Sequence, residues 1–284
     1  MARRAFDRGL AILCALCAAA SAAVFVGIVA VILGRGLPAF DWSFVVGATG
    51  QALGTGGVRY QLLGTLVLIA STFALVAPLS LGWALAQTIF LSSPAWRRRL
   101  RRLLYALNGV PSILFGIFGL IVFVKYLDWG KSWLAGGILL ALMVLPTVTV
   151  AWVERIEALP SKYLQTAASL GLSRGQIVWS VVVPQTWGGG FSGALLGLAR
   201  AAGETAPILF TAAVFSGVTL PSAVRESPVL ALPYHIFVLA QDSFDPAAGA
   251  HLWGAAFVLL ALVMTLSLLA LPLRLRAQEE ASHG

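Results

Sequence analysis

Apolar side chains come in six long blocks, at about residues 10–33, 62–91, 104–124, 134–153, 187–214 and 250–272, separated by shorter polar stretches. About 20 apolar residues carry a helix across a hydrocarbon core of roughly 30 Å. A backbone in lipid must also satisfy its hydrogen bonds within its own segment. The pattern therefore predicts an all-α integral membrane protein with six transmembrane helices, residues 1–284 forming one membrane domain. The polar stretches are loops: about 34–60, rich in Gly; about 215–249, holding Pro221, Pro228, Pro233 and Pro246; and about 154–185, on the opposite side of the membrane from those two. No internal repeat or linker divides the chain.

The first block follows Arg3, Arg4 and Arg8 and contains Ala20-Ser21-Ala22, which imitates a secretory signal and its cleavage site. Apolar residues continue from Val24 to Leu33, however, so an uncleaved first helix is expected. Composition agrees with a membrane setting: 59% of residues are hydrophobic and 11% charged, against about 25% charged in soluble domains. This excludes a soluble enzyme, a secreted disulfide scaffold and a disordered tail.

The net charge of +8 and pI near 10.2 would suggest nucleic acid in a soluble protein, but here the distribution decides. With the N-terminus in the cytoplasm, the inner segments hold 13 of the 19 Lys and Arg residues, among them Arg97, Arg98, Arg99, Arg101, Arg102, Arg155, Lys162, Arg174 and Arg274. The outer segments hold five, and Arg200 lies within a span. The positive-inside rule thus predicts both termini in the cytoplasm of a multi-pass bacterial plasma (inner) membrane protein. The run Arg97–Arg102 is then a topology anchor beside anionic headgroups of the membrane lipid, with no nucleic-acid partner.

Several constellations can be set aside. Gly130-Lys131-Ser132 imitates the end of a phosphate-cradling loop, but the earlier Gly such a loop needs is Lys125. Cys14 and Cys17 share a helix face without a further metal ligand and are expected to be small buried hydrophobes. An intramembrane hydrolase using Ser112 would need a base, and His235, His251 and His283 all fall outside span depth. Glu279-Glu280 fits a solvated tail. No catalytic residue and no metal site is expected.

The loop at 154–185 is amphipathic. Pro160-Ser161 marks a helix start with Ser161 as N-cap, and Tyr163, Leu164, Ala167, Ala168 and Gly171 follow at spacings suited to one face. A second short helix is expected from Ser173 to Pro184. Small residues and a close-approach Gly suit docking in a partner's groove better than resting on a lipid surface, which favours bulky apolar residues and a basic face.

Here the chain resembles the membrane subunits of ATP-binding-cassette importers, whose loop carries Glu-Ala-Ala, three residues, Gly, nine residues, Ile, any residue, Leu-Pro. At matching spacing this sequence has Gln165-Thr166-Ala167, Gly171, Val181, Val183 and Pro184, with Gln165 in place of the Glu. The resemblance narrows to phosphate importer permeases, of the A-subunit type, in three motifs: Leu63-Gly64-Thr65-Leu66, Gly109-Val110-Pro111-Ser112-Ile113-Leu114-Phe115-Gly116, and the run from Gly197 through Gly203-Glu204-Thr205-Ala206-Pro207 to Thr211. The resemblance implies a type I ABC importer permease fold. It implies a chain that moves inorganic phosphate inward by alternating access, with a homologous permease subunit, an ATPase dimer and a periplasmic or extracellular phosphate-binding protein as partners. No cofactor is expected on this chain; ATP and Mg belong to the partner ATPase. Tyr163, Gln165, Ala167, Gly171, Val183 and Pro184 would form the coupling surface. Permeases for phosphonate, molybdate or sulfate, and a stand-alone channel, are the alternatives.

Arg200 and Glu204 are four residues apart, neighbours on a helix face, in a segment where a lipid-facing charge costs several kcal/mol. They must face protein or water. One reading is a structural ion pair; the other is that Arg200 attracts an oxyanion while Glu204 keeps binding weak enough for release. Pro207 removes a backbone donor and crowds the carbonyl of Gly203, so a kink beside Glu204 is expected, with Thr205 completing the hydrogen bonding. Pro111 does the same for the third span beside Ser112. These interruptions mark the expected substrate pathway.

Overall fold

The computed structural model describes residues 2–50, 54–218, 220–241 and 246–282. His283 lies outside them, as do the side chains of Glu279 and Glu280. The described residues form helices and loops. A long first helix, α1 (Ala2–Gly36), leads through a 3-10 turn to the short α2 (Trp42–Val46) and then to α3 (Arg59–Leu85), prolonged by a π turn to Phe90. Next come α4 (Pro94–Asn108), α5 (Ser112–Gly119) with a π-type extension to Tyr126, and α6 (Trp133–Glu157). The remainder comprises α7 (Ser161–Ser169), α8 (Arg174–Ile177), α9 (Val183–Ala202), α10 (Ala206–Thr211), α11 (Leu232–Gln241) and α12 (Pro246–Ser282).

Four segments, Gly9–Ala39, Arg59–Phe90, Trp133–Glu157 and Ala248–Leu275, are long and apolar enough to cross a membrane alone. The third predicted block differs from an unbroken span. Its first residues belong to α4, and α4 meets the helical segment Ser112–Tyr126 at 91°. The cause is local: Pro111 has no amide proton and disfavours helical backbone at Val110, so α4 ends at Asn108 and Pro111 caps α5. The fifth predicted block is also divided, because the helix stops at Ala202 and resumes at Ala206.

α6 is the hub. Two thirds of its most apolar window is buried (67%), against none (0%) for α1. It packs on α3 and α9, and α9 packs on α12. Val76 of α3, Val144 and Val148 of α6, and Val182 and Ala212 nearby are fully inaccessible and form the core. Close approach of α6 and α9 depends on absent side chains. A Cβ on Gly190 would enter the Trp152 ring, one on Gly193 would meet the Ala151 methyl, and one on Gly197 would press on Val148. The small-residue spacing Gly193–Gly197 thus serves helix packing.

α1 stands on the flank and contacts chiefly α12. Gly36 lies against Phe257 and the Trp253 carbonyl, Phe40 meets Phe257 edge to face at 5.1 Å, and the Arg35 guanidinium lies 5.1 Å from the Trp253 ring centroid. Cys14 and Cys17 are free and exposed on α1, a correction to their expected burial: at that level α1 has no neighbouring helix to cover them.

Candidate functional site

Arg200 occupies the last turn of α9, and Glu204 lies in the three-residue break that follows. Arg200 Nε is 3.7 Å from Glu204 Oε1, with side-chain exposures of 49% and 18%. The contact is electrostatic and too long for a hydrogen bond. The guanidinium therefore keeps an open face while the carboxylate is mostly covered. Glu204 borders a cavity of about 10 Å³, lined also by Thr65, Leu68, Leu140, Ala202, Ile208 and Pro233, a volume near one water-sized probe.

The break follows from Pro207, which sits in the first turn of α10, where its missing N–H removes no intrahelical bond. Were the helix continuous, that ring would collide with the carbonyl of Gly203. Thr205 accepts the Leu209 amide through its carbonyl; its side chain makes no capping bond. The expected kink is thus a full interruption, and the Thr205 hydroxyl does not seal it.

Pro111 and Ser112 come to the same region through α5, which packs on α10. Ser112, Gly116 and Gly119 share one covered face of α5. A Cβ on Gly116 would strike the Ala206 carbonyl and the Phe210 ring, and one on Gly119 would strike Thr211. Ser112 is one turn from this contact, so the helical segments that follow the two breaks pack on each other.

The other end of α10 shows a role that the motifs do not announce. Lys131 Nζ donates to the Leu209 and Ala213 carbonyls at 2.9 and 3.1 Å, and the Ser132 amide donates to the Thr211 carbonyl at 2.8 Å. Ser132 also N-caps α6 by accepting from the Ala135 amide. Burial lowers the Lys131 pKa from its usual value. Gly130-Lys131-Ser132 thus holds the C-terminus of α10, where a cation also suits the helix dipole. Leu63-Gly64-Thr65-Leu66 joins chain segments in a similar way. The Thr65 hydroxyl accepts the Leu232 amide at 2.9 Å, and Gly64 leaves room for the Leu230 carbonyl.

On the 154–185 loop, Tyr163, Gln165, Gly171 and Pro184 are exposed. Ala167 and Val183 are not: they are 4% and 9% exposed and face the chain itself. The expected outward face is corrected accordingly, since Ala167 and the half-buried Leu164 form the inner side of α7. Pro160 rather than Ser161 occupies the N-cap position of α7. Gly171 has φ +79° and no atom within 4 Å of a would-be Cβ. Its amide donates to the Ala168 carbonyl and the Leu172 amide to the Ala167 carbonyl, the Schellman arrangement that ends a helix. Gly171 is therefore a chain reversal rather than a close-approach residue within this chain. Ser173 opens α8 with a capping box to Gln176, and the helix runs through a π turn into α9. No stop occurs at Pro184, which lies in the first turn of α9, where proline is tolerated.

His235 and His251 are buried, with rings 5.3 Å apart, and His235 stacks on Phe215. His251 falls within the Ala248–Leu275 span, a correction to its expected place outside span depth. His235 stays outside the four spans on α11, which folds back on α12 and so brings the two rings together.

Residues 78–276 match the family of binding-protein-dependent transport system inner membrane components. The chain is 33% identical over 224 residues to the phosphate transport system permease protein PstA 2 of Mycobacterium bovis, covering 76% of this chain and 73% of that one. It is 32% identical over 237 residues to the probable phosphate transport system permease protein PstA of Methanocaldococcus jannaschii, with 83% and 82% covered. It is 27% identical over 267 residues to the probable ABC transporter permease protein YqgI of Bacillus subtilis, with 90% of each covered. Among solved structures, an inward-facing conformation of the MetNI methionine ABC transporter superposes with a TM-score of 0.57 at 13% identity, covering 78% of this chain and 94% of that one. The chain belongs to the family of binding-protein-dependent transport system inner membrane components and has the ABC importer permease fold.

Proposed function

We propose that this chain is the permease subunit of an ATP-driven importer that passes inorganic phosphate from an outer binding protein into the cytoplasm by alternating access. Relatives named as phosphate permeases support the substrate. The observation that carries the mechanism is the half-exposed Arg200 guanidinium at the break in α9–α10. Within a membrane segment such a charge needs a water-filled path or protein partner, and a cation there favours entry of an anion. Glu204, 3.7 Å away, offsets part of that potential, so the anion is held weakly enough to leave. The meeting of the two broken spans supplies an element that can shift without unfolding a whole helix.

Lys and Arg asymmetry supports cytoplasmic termini, with α7 and α8 on the cytoplasmic side. There Tyr163, Gln165, Gly171 and Pro184 face outward for an ATPase partner, which carries ATP and Mg; this chain supplies the path and the contact surface. A homologous permease completes the pathway. The test is ATP-dependent uptake of radiolabelled phosphate into proteoliposomes holding the full complex with its binding protein. Uptake by the native chain, and its loss in Arg200→Gln with assembly intact, is expected; native uptake of sulfate or molybdate in place of phosphate would overturn the substrate.

A further inference from the structure

Arg200 is one end of a stripe. Gly189, Gly193, Leu196 and Arg200 recur at intervals of four, three and four residues, which keeps them within one face of α9. Toward its N-terminal end this face is the floor of a cleft of about 360 Å³, lined by Ala151, Glu154, Arg155, Ser192 and Arg274 besides the α9 residues. α6 supplies one wall through Glu154 and Arg155, and α12 the other through Arg274. The wall residues are placed by backbone packing. A Cβ on Gly189 would overlap the Arg155 side chain at its Cγ, Cδ and Nε, so the missing side chain at 189 lets Arg155 lie across α9. On the α12 side, the Leu273 carbonyl stands 3.7 Å from where a Cβ of Gly188 would be, which brings Arg274 to the cleft. Ser192, 3% exposed, adds a hydroxyl to the floor.

Among the described residues, two guanidiniums, one carboxylate and a hydroxyl line an open volume. Guanidinium forks match phosphoryl oxygens in geometry and charge. We infer that the Arg155–Ser192–Arg274 cleft binds a phosphoryl oxyanion, a second station at the cytoplasmic end of the α9 stripe that begins at Arg200. Glu154, the carboxylate among the described lining residues, tempers the site as Glu204 tempers Arg200, which suits release rather than retention. The inference rests on the phosphate reading for its physiological ligand. The same chemistry would also accept the phosphodiester of a lipid headgroup, and the experiment separates the two sources.

The complete transport complex, purified without its binding protein, is dialysed against radiolabelled inorganic phosphate, and tightly held phospholipid is quantified in parallel. Arg274→Gln, Arg155→Gln with Arg274→Gln, Gly189→Ala and Arg274→Lys are compared, each also in an Arg200→Gln background that isolates the cleft. Phosphate affinity is expected to fall about tenfold or more in Arg274→Gln and further in the double variant. It should weaken in Gly189→Ala, where both charges remain but Arg155 is displaced, and recover in part in Arg274→Lys. Phospholipid that is lost from the double variant, and is displaced by inorganic phosphate from the native complex, would identify a headgroup as occupant of the same site. Phosphate binding and lipid content both unchanged in an assembled double variant would overturn the inference. Uptake by the native complex is measured alongside: absence of phosphate transport there refutes the substrate reading, whereas native transport with binding indifferent to Arg155 and Arg274 refutes only the cleft.

Discussion

Arg200 and Glu204 face each other across 3.7 Å at the end of α9, the arginine half exposed and the glutamate largely covered. A pair that existed only to neutralise buried charge would cover both partners and close to hydrogen-bonding distance. A double-substitution cycle separates the roles. Arg200→Ala with Glu204→Ala is expected to assemble yet lose phosphate uptake, and Arg200→Lys to keep a fraction of it, since charge survives without the planar fork. Full uptake by the assembled double variant would reduce the pair to a packing device.

Gly171 is held at φ +79°, where a side chain with a Cβ costs about 1–2 kcal/mol. Gly171→Asn, which tolerates this backbone, should retain coupled ATP hydrolysis and uptake, while Gly171→Val should lose them. Equal loss in both variants would mean that bulk at the partner surface, rather than the chain reversal, sets the requirement.

Lys131 ties α10 to the start of α6 through two carbonyls. Lys131→Met should lower complex stability by roughly 1.5–3 kcal/mol, as loss of a charged hydrogen-bond donor does, visible as a lower unfolding temperature. Lys131→Arg should recover part of it. An unchanged unfolding temperature in Lys131→Met would show that the clamp adds no stability.

Burial pushes the His235 pKa down to about 4, with the nearby His251 adding to the shift. Between about pH 6.5 and 4 the unfolded chain binds a proton at His235 that the folded chain does not. Stability is therefore full above this window and falls as pH drops through it, by on the order of 3 kcal/mol for the whole shift. His235→Phe, which preserves ring stacking on Phe215, should flatten the acid limb of a thermal-stability profile. An identical acid limb in the variant would place the sensitivity elsewhere.

Orientation is testable at Ser173 and Ser222, both exposed, whereas the buried Ser132 is unsuitable for a probe. With Cys14 and Cys17 replaced by Ala, Ser222→Cys should react with an impermeant thiol reagent in intact cells and Ser173→Cys should not. Labelling of Ser173→Cys from outside would invert the topology and remove the proposed docking surface from the cytoplasm.

Hydrophobic blocks make the helical membrane fold legible because lipid leaves so few options for the backbone. The two broken spans are half visible: Pro111 and Pro207 announce a disturbance, yet a proline specifies where a helix is weak and not how far the chain turns. The 91° turn between α4 and the Ser112–Tyr126 segment is made at Pro111, but the partner that α5 then meets, α10, is a distant segment that no local window contains. The inward face of Ala167 is hidden in the sequence because the small residues of α7 fit a partner groove or the chain's own core equally well, and only the fold distinguishes them. The Lys131 clamp has no local signal, since its acceptors lie some eighty positions away. The cleft between Arg155 and Arg274 joins residues more than a hundred positions apart and is equally invisible.

α1 contacts chiefly α12, so α1 has to wait for a partner made some two hundred residues later. During biogenesis it must persist in the bilayer on hydropathy alone, anchored by its basic N-terminal flank, while the central bundle assembles without it. The Gly36–Phe257 contact then acts as a latch that closes only once α12 has been made. Premature termination anywhere before α12 would leave α1 unlatched.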